Sequence, residues 1–126
     1  MSAAIIEHVN VTVSDPHKTA QMLVDIFDWK IRWQGEAIYE GYTIHVGSES
    51  SYLALYNLEA DSGVYDTHRN LAGLNHIGIT VDDLDATEKR VKEAGFTPKN
   101  HGDYEPGRRF YFHDDDGVEY EVVSYN

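Results

Sequence analysis

Residues 74–82, Leu-Asn-His-Ile-Gly-Ile-Thr-Val-Asp, repeat the pattern of residues 6–14, Ile-Glu-His-Val-Asn-Val-Thr-Val-Ser. The two stretches align at an offset of 68 positions, which places His8 on His76. A repeat that covers half the chain indicates a duplicated supersecondary unit, because a solenoid needs three or more copies to bury its faces. The duplication therefore decides how the rest of the sequence is interpreted.

Both stretches alternate between aliphatic and polar residues with the period of a half-buried strand. One face carries aliphatic side chains: Val9, Val11 and Val13 in the first strand, and Ile77, Ile79 and Val81 in the second. His8 and His76 lie on the opposite face. A single histidine there is ordinary for a strand that faces water. Because both halves carry one in the same register, we predict that the two imidazoles face a common space.

The composition limits the classes of protein and site that are possible. A chain of 126 residues has enough apolar content for one core but hardly for two independent ones. It contains no cysteine, so a metal site must use histidine, carboxylate or tyrosine. No apolar run approaches membrane-spanning length, and the N-terminus lacks the pattern of a signal peptide. We therefore expect a cytoplasmic protein that does not bind membranes.

The formal charge of -12, from 22 acidic and 10 basic residues, is spread along the chain. A field of this sign repels phosphate backbones, so we expect no nucleic-acid partner.

The first repeat continues as a helix and three strands. Residues 14–16, Ser-Asp-Pro, supply an N-cap oxygen and a proline at the first helical position. An apolar stripe with helical spacing follows: Ala20, Leu23, Val24 and Phe27. Segments with strand composition come next: residues 30–33, 39–46 and 52–57.

The second repeat has the same order. Asp82 and Asp83 cap a helix that Gly95 ends. Its apolar stripe is Leu84, Thr87, Val91 and Ala94. Strands are predicted at residues 96–101, 108–113 and 118–125. His45 and His113 match at the offset of 68, which extends the repeat into the third strand of each half.

We therefore predict an α+β protein made of two βαβββ modules. Module one spans residues 1–58 and module two spans residues 74–126. Residues 59–73, with Gly63 and several charges, form the connection. His68 in this connection is predicted to be a solvated loop residue.

The chain resembles the vicinal oxygen chelate superfamily of glyoxalase I, bleomycin-resistance proteins and extradiol dioxygenases. The resemblance covers essentially the whole chain. It depends on the paired histidine strands, the βαβββ order, residues 81–84 (Val-Asp-Asp-Leu) and residues 114–121 (Asp-Asp-Asp-Gly-Val-Glu-Tyr-Glu). The last of these is similar to a family turn, Asp-Pro-Asp-Gly, that leads into a strand carrying a carboxylate. The resemblance implies one glyoxalase-like domain over residues 1–126, an open eight-stranded cup with helices on its outer face and a divalent metal inside.

The resemblance also implies that the first and fourth strands of each module supply the metal ligands. Carried onto this chain, these ligands are His8, His76 and Glu121. Glu119 lies on the same strand face as Glu121, and the spacing from the turn favours Glu121. The corresponding position in module one is Ala54, which cannot bind a metal.

Two imidazoles and one carboxylate suit Fe(II), Mn(II), Ni(II), Co(II) or Zn(II) and leave positions open for substrate or water. Three functions stay open. The first is a metal-dependent glyoxalase-like lyase or isomerase whose substrate chelates the metal through vicinal oxygens. The second is an Fe(II)-dependent extradiol-type dioxygenase that uses the His-His-Glu set. The third is a metal-free protein that binds a small molecule or confers drug resistance. The resemblance further implies a homodimer.

Several other side chains are candidates for contact with a substrate. An inward-facing His113 or His45 would act as a general base or as a hydrogen-bond donor. Tyrosines predicted to face the interior are Tyr52, Tyr56, Tyr111 and Tyr125, and Tyr56 is the candidate for proton transfer. Arg108 or Arg109 would attract a carboxylate if it points inward. His17 and His101 are predicted to be surface residues.

Overall fold

The computed structural model describes residues 2–58, 66–104 and 107–126 of the chain. The chain divides into two compact units, Met1–Ser62 and Gly63–Asn126. Residues 59–65 of the predicted connection lie outside the described residues.

The first unit is a four-stranded sheet with one helix. Its elements are β1 (His8–Thr12), α1 (Pro16–Phe27), β2 (Lys30–Glu36), β3 (Tyr42–Gly47) and β4 (Tyr52–Asn57), with a 3-10 turn at Ile38–Glu40. The strand order is β1-β4-β3-β2. β1 pairs with β4 in parallel, and the other pairs are antiparallel. The sequence interpretation placed β3 too early, because the 3-10 turn occupies its predicted first residues.

The second unit repeats this topology. Its elements are β5 (Ile77–Thr80), α2 (Leu84–Glu93), β6 (Lys99–Tyr104), β7 (Gly107–His113) and β8 (Glu119–Ser124). The strand order is β5-β8-β7-β6, with β5 and β8 parallel. The predicted α+β class, with two βαβββ modules, is confirmed.

α1 begins where the sequence predicts. The Asp15 carboxylate accepts a hydrogen bond from the Lys18 backbone N–H at 3.2 Å, and proline takes the first helical position. The buried side chains of the helix are Pro16, Thr19, Ala20, Met22, Leu23 and Ile26. Val24 and Phe27, which belong to the predicted stripe, are only half-buried. The sequence permits two overlapping stripes of helical spacing, and the sheet covers the one that includes Ile26.

α2 is capped by Asp83, whose carboxylate accepts from the Ala86 N–H at 3.0 Å. Its buried residues are Leu84, Thr87 and Val91, as predicted, whereas Ala94 is exposed. Gly95 ends the helix with a φ of +94°, a left-handed conformation that favours glycine.

β6 begins three residues later than predicted, at Lys99. The Phe96 N–H donates to the Val91 carbonyl at 3.1 Å and so continues the end of the helix. Pro98 has no N–H to donate to a sheet, so the strand starts after it.

One face of each sheet packs against its helix and forms the core. The buried core side chains of this face are Ile44, Val46, Leu53 and Leu55 in the first unit, and Phe110, Phe112, Tyr120 and Val122 in the second. The residues between them point the other way. We call this second side the polar face of each sheet, and it carries every predicted metal ligand.

Candidate functional site

The polar face of the second sheet brings charged side chains together across its strands. Glu121 on β8 lies opposite Gly78 on β5 and Tyr111 on β7. Glu119 lies opposite His113. His76 precedes β5 and is in the register predicted for the first strand of the module. The alternation of β8 therefore turns both glutamates toward the histidines.

His76 and Glu121 are in direct contact. The Nε2 atom of His76 lies 3.0 Å from Oε1 of Glu121, and the side chains are 35% and 13% exposed. The Nδ1 atom lies 2.7 Å from Oδ1 of Asn75. An amide oxygen only accepts hydrogen bonds, so Nδ1 carries a proton. A neutral His76 would then turn the Nε2 lone pair toward a carboxylate oxygen, and this contact requires a proton or a cation between the two atoms.

Arg109 holds the other oxygen of Glu121. Its Nη1 atom donates to Oε2 at 2.7 Å, and both side chains are only 13% exposed. Arg109 therefore points to the polar face, which answers the question that the sequence left open. Arg108 does not join this cluster, because it pairs with Asp85 of α2 at 2.6 Å.

Glu119 is surrounded by three imidazoles. Its carboxylate lies 3.1 Å from Nε2 of His113, 3.5 Å from Nε2 of His68 and 4.0 Å from Nδ1 of His76, and it is 14% exposed. The Nδ1 atom of His113 is buried, and no hydrogen bond to it is found among the described residues. His68 was predicted to be a solvated loop residue; its side chain is 44% exposed but touches this cluster.

The polar face of the first sheet carries a group of packed aromatic and imidazole rings. His8 on β1 lies opposite Tyr52 on β4. The two rings stack with centroids 4.9 Å apart, and His45 stacks on Tyr52 at 4.6 Å. Trp33 of β2 packs against His45 at 5.3 Å. Burial lowers the pKa of His45, so this imidazole stays neutral at physiological pH.

His8 is oriented in the same way as His76. Its Nδ1 atom lies 3.0 Å from Oε1 of Glu7, a carboxylate that also accepts a weaker bond from the Tyr52 hydroxyl at 3.3 Å. The hydrogen bond from His8 holds the pKa of Glu7 below its usual value, so Glu7 is an acceptor. Nδ1 of His8 is therefore the donor, so in a neutral imidazole the lone pair lies on Nε2.

The strand register shows which residues correspond between modules. Asn10 lies opposite Ala54 in the first sheet, and Gly78 lies opposite Glu121 in the second. The aligned first strands place Asn10 on Gly78, so Ala54 occupies the position of Glu121. The carboxylate expected there in the first module is missing.

The predicted match of His45 with His113 is wrong. His45 lies opposite Ala54, and its counterpart opposite Glu121 is Tyr111. His113 lies two residues further along β7. His45 lies 35 residues after Asn10, whereas Tyr111 lies 33 residues after Gly78, so the second module is two residues shorter between its first and third strands, and this difference breaks the constant offset. The hairpin between β7 and β8, residues 114–118, is one residue longer than residues 48–51 between β3 and β4 and restores one of the two.

The remaining candidates from the sequence are two tyrosines and two surface histidines. The Tyr56 hydroxyl donates to the Ile38 carbonyl at 2.7 Å, and Tyr125 is 61% exposed. His17 stacks on Tyr42 from an exposed position. His101 is exposed and contacts Glu88 at 3.0 Å.

The predicted ligands divide between the two units: His76 and Glu121 touch in the second, and His8 lies in the first. Within residues 2–58, 66–104 and 107–126, no three His, Asp or Glu side chains are arranged as a metal site. The donor chemistry of His76 and Glu121 nevertheless fits a divalent ion, because the Nε2 atom of an imidazole and a carboxylate oxygen lie next to each other and both are ligands that such ions accept. No helix in the described part of the chain is long and apolar enough to cross a membrane.

Solved structures share this fold at low sequence identity. A glyoxylase/bleomycin resistance protein/dioxygenase domain from Frankia sp. EAN1pec is 23% identical with a TM-score of 0.83, and the match covers 98% of each chain. The fosfomycin resistance protein FosX from Mesorhizobium loti is 21% identical with a TM-score of 0.73, over 97% of this chain and 92% of that one. FosX from Listeria monocytogenes, in complex with Mn(II) and sulfate, is 18% identical with a TM-score of 0.73, over 98% and 93%. No curated protein sequence is significantly similar to the chain.

A sequence model of one superfamily matches residues 5–122, which cover most of both modules and all three predicted ligands. The chain belongs to the Glyoxalase/Bleomycin resistance protein/Dioxygenase superfamily.

Proposed function

We propose that the protein is a metal-dependent enzyme of the glyoxalase-like type, a lyase or isomerase that acts on a small molecule with vicinal oxygens. His8, His76 and Glu121 would hold the divalent ion. One observation carries the proposal: in both modules the residue before the strand histidine, Glu7 or Asn75, accepts the Nδ1 proton. Histidines that bind metals almost always donate their other ring N–H to such an acceptor, which leaves Nε2 for the ion.

The bound ion would supply Lewis acidity toward the oxygens of the substrate. The protein residues around it have separate tasks. Arg109 fixes the Glu121 carboxylate by a short ion pair. His113 and Glu119 share a hydrogen bond through Nε2, so we assign this pair to proton transfer. The Tyr56 hydroxyl is bonded to a backbone carbonyl, and it would have to break that bond before transferring a proton.

Metal uptake tests the proposal directly. Purified protein, stripped with a chelator and titrated with Mn(II), Fe(II), Co(II), Ni(II) or Zn(II), should bind one ion per chain. His76→Ala and Glu121→Gln should each weaken uptake by at least tenfold, since loss of a supporting group alone costs this much. His17→Ala removes an exposed histidine that lies on α1 and stacks on Tyr42, and it should leave uptake unchanged. Uptake by His76→Ala equal to that of the wild type would contradict the proposal.

A second candidate function, a metal-free small-molecule binder, is favoured by Arg109. Its guanidinium already supplies a positive charge to Glu121, and Ala54 removes a ligand that a glyoxalase would use. If the stripped wild-type protein takes up none of the five ions, this function replaces the first.

Oxygen consumption distinguishes the dioxygenase alternative from the proposed lyase or isomerase. An extradiol enzyme loaded with Fe(II) would consume oxygen in the presence of catechols, whereas an isomerase or lyase would not. We also propose that the chain forms a homodimer, which light scattering of the purified protein tests.

A further inference from the structure

β2 contains a bulge at Arg32. Ile31 pairs with Val46 and Trp33 pairs with the adjacent His45, so Arg32 is an extra residue on its strand. In a regular strand, neighbouring side chains point to opposite faces. A bulge lets two successive residues lie on one face and so redirects a side chain. Here it places Arg32 on the polar face together with Trp33.

The guanidinium of Arg32 lies over an aromatic ring. Its Cζ atom lies 4.4 Å from the centroid of the Tyr52 ring, which itself stacks on His8 and His45. A guanidinium stacked by its face keeps the N–H groups at its edge available for two parallel bonds to a carboxylate or phosphonate. Arg32 and the candidate ligand His8 therefore contact the same ring, that of Tyr52.

Arg32 forms no direct ion pair among the described residues, although its charge acts at longer range on the carboxylates of Glu7 and Glu49. On the neighbouring positions of the same strand, Lys30 pairs with Glu49. In the second module, Arg109 pairs with Glu121 and Arg108 with Asp85. In a chain with a net charge of -12, a guanidinium that lies over a ring and forms no direct ion pair is a candidate site for an external anion.

We propose that Arg32 binds the anionic group of the substrate, a carboxylate or a phosphonate, beside His8. The substrate class is then a small organic anion that carries further oxygens next to its charged group. The placement of those oxygens on an ion at His8 rests on the proposed function. The recognition of the anion rests only on the first module.

The experiment compares ligands that differ in charge, and it compares the wild type with variants in which one basic side chain is replaced. The probes are lactate, its neutral analogue lactamide, and 2-hydroxyethylphosphonate, titrated into the full-length protein and followed by NMR chemical-shift changes. Lactate or the phosphonate should bind at least tenfold more tightly than lactamide. Arg32→Gln should weaken anion binding roughly tenfold or more. Arg32→Lys should retain part of the wild-type affinity, because lysine keeps the positive charge but cannot make two parallel hydrogen bonds. Lys89→Gln, on the exposed side of α2, should have no effect.

Running the titration with and without Mn(II) separates this inference from the proposed function. If the preference for anions depends on Arg32 in chelator-treated protein that takes up no metal, the inference stands and the proposed function fails. Equal binding of lactate and lactamide, equal anion binding by Arg32→Gln and the wild type, or no saturable binding of any probe would overturn the inference. Comparison of lactate with the phosphonate shows which anion the site prefers.

Discussion

At the scale of single residues, Tyr56 shows how a local bond limits a chemical role. Its hydroxyl donates to the Ile38 carbonyl, which belongs to the 3-10 turn between β2 and β3. We expect Tyr56→Phe to lower the free energy of unfolding by about 1 kcal/mol, the net value of one hydrogen bond. Urea denaturation measures this change, and Tyr125→Phe, at an exposed position, should leave the stability unaltered. An unchanged stability in Tyr56→Phe would show that the hydroxyl is free for chemistry.

The site residues that could be predicted from sequence were those fixed by strand alternation. The period of two placed Glu119 and Glu121 on one face, and the spacing from the turn singled out Glu121, which meets His76. The role of Arg32 could not be predicted, because a bulge decides which way its side chain points. Arg109 lies on the same face as Tyr111 by alternation, so for it the signal was available. Glu7 and Asn75 were also missed, although both precede the repeated histidine and this shared position was the available signal.

At the scale of elements, the turn before β8 contains a partly buried carboxylate, Asp114, whose ionisation affects stability. The Asp114 carboxylate accepts from the N–H groups of Asp116 and Val118 and from the Tyr120 hydroxyl, each at 3.0 Å. Burial nevertheless raises its pKa above the ordinary value. As pH rises, the carboxyl ionises first in the unfolded chain and only later in the folded protein. Its contribution to stability therefore falls across that window and is constant above it.

Asp114→Asn removes this titration while keeping an oxygen for the two backbone N–H groups. We expect the stability of the variant relative to the wild type to increase as pH rises from about 4 to 7, since the unfolded-state carboxyl titrates near pH 4. Unfolding by urea at several pH values measures the difference. Asp82→Asn, at an exposed position, supplies the control for an Asp-to-Asn change outside the turn. A difference that is constant or decreases with pH would contradict the assignment.

The elements also show why the fold was more predictable than its register. Helix caps at Asp15 and Asp83 and alternation in the strands are local signals, so the order of elements followed from them. The residue of β7 that takes a given position depends on the lengths of the connections before it, and the second module is two residues shorter there, which puts Tyr111, not His113, into the position of His45. A constant offset along the sequence cannot represent such a change.

At the scale of the whole chain, duplication kept the orientation of both histidines while the two polar faces diverged. The first face became aromatic, with Tyr52 and His45, and the second became charged, with Glu119 and Glu121. This division matches the proposed tasks, with anion recognition in one module and a carboxylate ligand in the other. A single ion bound by ligands from both modules would couple their stabilities.

That coupling can be measured by unfolding with and without the metal. An ion at 100 times its dissociation constant should raise the free energy of unfolding by about 2.7 kcal/mol, because it binds only the folded chain. If His8 and His76 hold the same ion, His8→Ala should abolish this stabilisation as fully as His76→Ala does, although the two residues lie in different units. His17→Ala should retain it. Full stabilisation in His8→Ala together with its loss in His76→Ala would confine the ion to the second module, where Glu119, Glu121 and the histidines around them would have to supply every ligand.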